Sequence, residues 1–472
     1  MGHDLDRRIL LAVLGGAITS AATGGRLSAQ VAATSGPPVP ATPPGPPPSS
    51  EVLFRNVRVF DGKSPRLSAP TNVLVQGNLI AAPGTQPEPA ARVIEGNQRT
   101  LMPGLIDCHA HLEFYNLPAA DFVSSPGDYL QLRQAPAARA FLMTGFTSVR
   151  DAGGPTFGLK RAIDEELLIG PRIWPSGAII SQTSGHGESR YPNELPSRIG
   201  GRDLTPHERE NYVFAVDGVP EVLEKVREQL YQGASQIKLA VGGGVSSNHD
   251  PLDSTQFSEE EIRAAVGAAE DWGTYVMVHG YTPRAVNRAL DCGVKSIEHG
   301  QLLDEPTIER IAKMGLWLST QPFLMDTDAI PTTPGSENER KYQQVAAGTE
   351  RAYALAKKHG VKTAFGTDIQ LNPKGAERQP HYLPKLLRWY TPFECLKMAT
   401  HDNAQLLALS GPRSPYPRPL GVVQPGAYAD LLLVNGNPLV DLNVLADPDR
   451  NFAVIMKDGN IYKNQDNPLL LD

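Results

Sequence analysis

The stretch from Leu101 to Phe114 reads LMPGLIDCHAHLEF and carries two histidines two residues apart. Its apolar run with a Pro-Gly turn predicts a strand, in which successive side chains alternate faces. Asp107, His109 and His111 then share one side, while Cys108 and Ala110 point away, so Cys108 is not a credible ligand beside them. Two imidazoles at this spacing can hold one metal ion through their ring nitrogens. A bare His-x-His also occurs at strand ends with no ligand role, so the motif needs support elsewhere in the chain.

That support comes from polar residues closing otherwise apolar runs, the informative exceptions in buried strands. Lys238 lies in QIKLAV, His279 in YVMVHG, His299 in KSIEHG and Asp368 in KTAFGTD. With His109 and His111 they fall at strand C-terminal ends, the face where barrel enzymes place their chemistry. Taken singly, each is as well explained as a hydrogen-bonded core residue; all at one topological level, they describe a site. Three further residues are candidates for a substrate carbonyl or carboxylate. His186 sits in the long segment SQTSGHGESRYP, Tyr281 lies two residues beyond His279, and Arg150 ends the strand TSVRD. Beside Asp151, Arg150 is as readily a structural partner. His207, His249, His381 and His401 receive no role, and His359 reads as a charge on the last turn of its helix.

The elements that must position these residues repeat a rhythm of helix, glycine, strand. A capping box, Ser258 with Glu261, starts one helix that stops at Gly273, and Thr282-Pro283 starts the next, which stops at Gly293. Helices from Val219, Glu305 and Thr349 stop at Gly233, Gly315 and Gly360. The strands between them are GLIDCHAH, FTSVRDAGG, RIWPSGAIIS, QIKLAV, YVMVHG, KSIEHG, LWLSTQ and KTAFGTD. Strands apolar on both faces and separated by helices predict a parallel sheet. Eight such units over 102–410 predict an α/β fold, a (β/α)8 TIM barrel. An open doubly wound sheet is the alternative, but no GxGxxG marks a dinucleotide site. Gly242-Gly243-Gly244 lacks the Lys-Ser/Thr of a phosphate-binding loop. Residues 51–101 and 411–472 carry short alternating β-runs, too few in either half to close a core. They predict one small β-sandwich domain assembled from the N- and C-terminal segments, with the barrel inserted between them.

Residues 1–30 have the order of an export signal: Arg7-Arg8, a moderately apolar run, then small residues. The arginine pair is twin-arginine-like, which places the expected product outside the cytoplasm, periplasmic or secreted. Residues 31–50 read as a Pro-rich linker. The chain of 472 residues carries 44 basic and 51 acidic residues, a net charge of −7, which argues against nucleic acid or an anionic membrane as partner. Three scattered cysteines exclude a disulfide framework, and no mature segment is apolar enough for a membrane span.

His-x-His on the first strand, the lysine in IKLAVGGG, and the HG, EHG and GTD strand ends together resemble the amidohydrolase superfamily of metal-dependent hydrolases. The resemblance covers about 51–463 and includes TSVRDAGG at 147–154 and PGAYADLLLVNGNPL at 425–439. Within the superfamily the chain is similar to Xaa-Pro dipeptidases, carboxypeptidase-type dipeptidases and ochratoxinase-like amidases. The resemblance implies two divalent ions, zinc foremost, with His109, His111 and Asp368 on one and His279 and His299 on the other. It implies that Lys238 bridges them as a carbamate, since an unmodified ammonium has no acceptor for a cation. It also implies an amide or peptide substrate, cleaved by a metal-bridged hydroxide with Asp368 as general base and acid. A lactonase, esterase, phosphoesterase or cyclic-amide hydrolase on the same site is the alternative. An inactive interaction scaffold fits less well, because all six site residues are present. The expected partner is a small amide or short peptide, and a homo-oligomer is expected.

Overall fold

The computed structural model describes residues 51–191, 193–196 and 204–467. The export signal and the linker fall outside the described residues. Five strands precede the first helix: β1 (Glu51–Val59), β2 (Thr71–Gln76), β3 (Leu79–Ile80), β4 (Arg92–Glu95) and β5 (Thr100–Pro103). The central region then supplies β6 (Leu105–Ala110), β7 (Phe146–Asp151), β8 (Arg172–Trp174), β9 (Ile179–Ser181) and β10 (Val213–Ala215). It continues with β11 (Ile237–Ala240), β12 (Val276–Gly280), β13 (Ser296–His299), β14 (Trp317–Thr320) and β15 (Lys362–Phe365). Three strands close the chain: β16 (Leu431–Val434), β17 (Phe452–Lys457) and β18 (Asn460–Asn464).

The central strands pair in parallel as two sheets, β6-β7-β8 and β10-β9-β11-β12-β13-β14-β15. Their edges are stitched by buried side-chain amides. Asn403 Nδ2 donates to Ile106 O at 2.7 Å and Phe365 O at 2.8 Å, joining β6 to β15. Gln236 Nε2 donates to Trp174 O at 2.8 Å and Asp151 O at 3.2 Å across the other gap.

Helices cover the outer faces for the expected reason. Val222, Val226 and Leu230 line one side of the helix Val219–Gln232 and share a core with Ile262, Ala265 and Val266 of the helix Glu259–Asp271. Each fully buried Val or Leu there contributes about 1.5–3 kcal/mol. Ser258 and Glu261 form the capping box, and Gly233 and Gly360 end their helices in the left-handed conformation that glycine adopts without a Cβ clash.

Three expectations needed correction. RIWPSGAIIS is two strands rather than one, broken at Pro175, whose nitrogen has no hydrogen for a ladder. The parallel edge strand β10 lies in the apolar run Tyr212–Val216 and was not among the expected strands. The helix expected from Thr349 begins at Glu337, where Ser336 accepts from the Glu339 N–H.

The terminal strands form one eight-stranded mixed sheet, ordered β18-β17-β16-β5-β1-β2-β3 with β4 paired to β1. Leu101, Leu431, Leu433 and Val454 from both chain ends share a core there. Arg172 of β8 binds Asp430 at 2.8 Å and Asp458 at 2.6 Å, and so ties this sheet to the central region.

Candidate metal and active site

Ligand atoms of His109, His111 and Asp368 lie within 4.8 Å of one another, and all three residues are buried. Both histidines aim the same nitrogen at the same oxygen: His109 Nε2 and His111 Nε2 stand 3.4 Å and 3.3 Å from Asp368 Oδ1. Their other nitrogens are spoken for. His109 Nδ1 donates to Glu298 Oε2 at 2.8 Å, and His111 Nδ1 donates to Gly153 O at 3.0 Å. A proton held on Nδ1 leaves a lone pair on Nε2, the tautomer a cation requires.

His279 and His299 complete the strand ends, with ring centroids 4.4 Å apart and His299 4.9 Å from His109. His279 Nε2 donates to Gly243 O at 3.1 Å, which frees Nδ1; His299 Nδ1 donates to Gln321 Oε1 at 2.8 Å, which frees Nε2. Gln321 Nε2 also lies 3.3 Å from His109 Nδ1, but both carry hydrogen, so the bond it makes is to Ser319 O at 3.0 Å. Lys238 Nζ approaches His109 Nε2 at 3.4 Å, and no ion pair reaches it among the described residues. Four imidazoles each held at one nitrogen by a hydrogen bond, gathered around a buried carboxylate and a buried amine, fit a divalent-cation site.

The electrostatics agree with that fit at His109, His279, His299 and Asp368, while metal-free His111 holds a second proton on Nε2 that a cation must displace. Burial holds His109, His279 and His299 well below the ordinary histidine range, reinforced by Lys238 at His109, His186 at His279 and His109 at His299. Burial pushes His111 down too, but Asp368 and Glu113 outweigh it and lift it to about 10. Burial pushes Asp368 up, yet His109, His111 and Lys238 hold it below the usual carboxylate range, so it stays charged. Burial lowers Lys238 to about 8 against the pull of Glu298 and Asp368. Two residues sit in left-handed backbone, His299 at φ 77° and Asp368 at φ 50°. Such conformations cost about 1–3 kcal/mol each and are retained where a side chain must be re-aimed.

The site residues expected from the sequence distribute as follows. His109, His111 and Asp368 form the tight group, with Lys238, His279 and His299 adjoining it. Tyr281 packs 5.1 Å from both the His279 and His299 rings, and burial keeps its phenol protonated. His186 stacks on His279 at 4.1 Å. Arg150 is fully buried, and its donors go to Glu298, Cys108 O, Tyr275 and Ser296. The structure therefore gives it to Glu298 and not to a substrate.

Cys108 points away, toward Asn403 O. His207 stacks on Phe122, His359 pairs with Glu305 and His401 pairs with Asp402. Asp107 lies behind the group, accepting from Thr367 Oγ1 and the His109 N–H, with burial pushing it up to about 7.

Glu298, Gln321 and Asp250 were not singled out in the sequence. Strict alternation turns Glu298 away from the interior when its neighbour His299 faces inward. Both reach it because His299 leaves the β-conformation. A signal existed nonetheless: an acid and an arginine, each in an apolar strand, call for each other.

Against known proteins, the model of the Amidohydrolase family matches residues 100–463. Ochratoxinase of Aspergillus niger is 30% identical over 417 residues, covering 85% of this chain and 84% of that protein. The structure of a prolidase complexed with N-methylphosphonate-L-proline superposes with TM-score 0.79 at 34% identity, over 88% of this chain and all of that one. A Xaa-Pro dipeptidase with methionine bound in its active site superposes with TM-score 0.75 at 28% identity, over 88% and 100%. These likenesses make the fold of the α/β TIM-barrel type.

Proposed function

The chain belongs to the amidohydrolase family and hydrolyses amide C–N bonds, and we propose that it cleaves a short peptide or N-acyl amino acid using two divalent ions, zinc foremost. The observation that carries this reading is the convergence of His109 Nε2 and His111 Nε2 on Asp368 Oδ1, with the Lys238 amine beside them. His109, His111 and Asp368 would hold one ion, His279 Nδ1 and His299 Nε2 the other, and Lys238 would bridge as a carbamate. When bound, the ions supply Lewis acidity at the scissile carbonyl and a water acidic enough to react near neutral pH.

The rest belongs to the chain's own groups. Asp368, kept ionised by its neighbours, accepts the proton of the attacking water and returns it to the leaving nitrogen. Tyr281, whose phenol burial keeps protonated, and His186 would contact the substrate carbonyl or carboxylate. Glu298 and Gly153 O hold the Nδ1–H of His109 and His111, which keeps Nε2 of both rings facing Asp368. Lys238 as a bare ammonium would be a buried charge that no ion pair reaches among the described residues, and carbamylation would remove that charge and add two acceptor oxygens.

A panel of dipeptides and N-acyl amino acids with the zinc-loaded protein tests the reaction. Turnover of lactones or phosphotriesters with no cleavage in that panel would overturn it. Metal analysis of active protein should give two ions per chain, and a value that stays at one under metal excess would overturn the binuclear part.

The same proposal extends to architecture and location. The Asn403 and Gln236 bridges support a single closed barrel over 102–410. The core shared by both chain ends supports a β-sandwich of 51–101 with 411–472. Asn403→Leu should lower the unfolding temperature sharply, and an unchanged one would remove the argument for closure at that seam. The Arg7-Arg8 leader supports export, with the mature chain starting near residue 30. N-terminal sequencing that found the leader intact in the cytoplasm would overturn that.

A further inference from the structure

Residues 321–336, between β14 and the helix Glu337–His359, carry neither helix nor strand. Stretches of this kind longer than about 12–15 residues in a compact domain are usually functional. This one begins inside the site. Gln321 Oε1 accepts from His299 Nδ1 at 2.8 Å, and the Phe323 ring lies 6.5 Å from the His299 ring with planes 26° apart. Phe323 shares a small core with Val245, Tyr281 and Tyr342, on which Ala329 and Ile330 also pack. The Tyr342 hydroxyl donates to Leu324 O at 2.9 Å. Between these anchors Met325 is 64% exposed, so the segment runs out to solvent and returns.

Charge holds its outer part. Asp328 Oδ1 accepts from Arg378 Nε, and Lys385 Nζ lies 3.0 Å from Asp328 Oδ2 and 2.9 Å from Asp326 Oδ2. Asp326 Oδ1 also accepts from the Asp328 N–H at 3.0 Å. The Asp328 side chain is 2% exposed and that of Lys385 11%, so salt screens this pair little. Burial pushes Asp328 up, but Arg378 and Lys385 hold it below the usual carboxylate range. Both cations come from the segment after β15, the strand that leads into Asp368. That segment is itself fixed to the barrel, with the Tyr115 hydroxyl 3.0 Å from Ala376 O and 2.8 Å from Gln379 Oε1. The ion pairs therefore join the stretch beside His299 to the stretch that follows Asp368.

We propose that residues 321–336 are a lid on the His299 side of the site, latched by Lys385 and Arg378 through Asp326 and Asp328. This rests on the reading that the histidine cluster is where metal binds and substrate reacts. Lys385 and Arg378 are positioning residues: their charged groups meet Asp326, Asp328 and the Tyr382 ring, and they act by holding Phe323 and its neighbours down. The lid is tied at one end by Gln321 and at the other by Ser336, whose hydroxyl accepts from the Glu339 N–H, so the part between them is what lifts. Lifting it breaks the two latches and the Phe323 packing but no strand ladder. Closed, it keeps solvent from His299 and Tyr281; raised, it opens a path to them, as loops that gate a site do.

Two readouts on the full chain test this, and neither needs a substrate. The first is amide hydrogen exchange of the metal-free protein, resolved by peptide. Lys385→Met should speed exchange in 321–336 about ten- to a hundredfold, the range for losing a hydrogen bond between charged groups, while peptides from β11 to β13 keep their rates. The second is the rate at which excess chromophoric chelator takes zinc from the loaded protein, which should rise by the same factor if the lid guards the ions. Lys385→Arg, which still pairs with both acids, should stay near the parent in both. Unchanged exchange in 321–336 would overturn the latch. Faster exchange with zinc release within twofold of the parent would show that the segment covers nothing, and would overturn the lid. Exchange that rises equally in β11 to β13 would make the ion pairs ordinary stabilising contacts and also overturn it. A chain that binds no zinc would remove the reading of the site, and the lid with it, whereas failure of the peptide panel alone would leave both readouts standing. Should Lys385→Met fail to fold, Arg378→Gln, at a side chain 42% exposed, is read in its place by the same criteria.

Discussion

Replacing Arg150 by methionine perturbs the site from beneath, without touching any group proposed to meet a metal. Arg150 and Glu298 are both fully buried. Arg150 Nη2 lies 2.8 Å from each Glu298 oxygen, and Glu298 Oε2 in turn holds His109 Nδ1 at 2.8 Å. Methionine keeps most of the volume but leaves a buried carboxylate without its counter-charge, a loss of about 3–5 kcal/mol. The intact pair contributes much less than that, because its Coulomb gain offsets its own desolvation. Adding Glu298→Gln to Arg150→Met should therefore recover most of the stability while still offering His109 an amide oxygen. Loss of the carboxylate that orients His109 should weaken zinc binding about ten- to a hundredfold in the double variant, whereas Arg150→Met alone keeps that carboxylate. Urea denaturation of the metal-free proteins measures the first effect, and competition with a chromophoric chelator measures the second. The reasoning is refuted if the double variant is no more stable than Arg150→Met, or if the double variant binds zinc within twofold of the parent.

Three further outcomes are expected. Carbamylation needs the neutral Lys238 amine. With Lys238 at about 8, roughly a tenth is neutral at pH 7, against about one part in three thousand at the ordinary 10.5. Activation of metal-free protein by zinc plus bicarbonate should accelerate about tenfold per pH unit below 8 and level off above it; a flat rate from pH 6 to 9 would contradict this. His111, lifted to about 10 in the metal-free protein, is protonated at pH 8, so zinc uptake there must expel a proton. Calorimetry in two buffers of different ionisation enthalpy should find that release, and a buffer-independent heat would count against it. Gln321→Leu removes the acceptor that fixes the His299 tautomer, so zinc should fall from two toward one per chain, with His109, His111 and Asp368 retaining theirs; an unchanged stoichiometry would show that His299 needs no such partner.

The sequence by itself determined the sites of chemistry that a period can reveal. Apolar strands carrying His109, His111, Lys238, His279, His299 and Asp368 at or near their ends, the last four after glycine-stopped helices, called for a parallel β/α architecture. A strand repeats every two residues and a helix every 3.6, so such residues announce themselves locally. Only the tertiary structure decided what surrounds them. Glu298 next to His299, Asp250 behind His186 and Gln321 beneath His299 act across long sequence separations, and no local period encodes a partner far away in the chain. Arg150 changed meaning for the same reason: in sequence it stands beside Asp151, while in space its charge belongs to Glu298. The left-handed turns at His299 and Asp368 lie beyond local patterning too, since only surrounding contacts make a strained backbone the lowest-energy choice for a non-glycine residue.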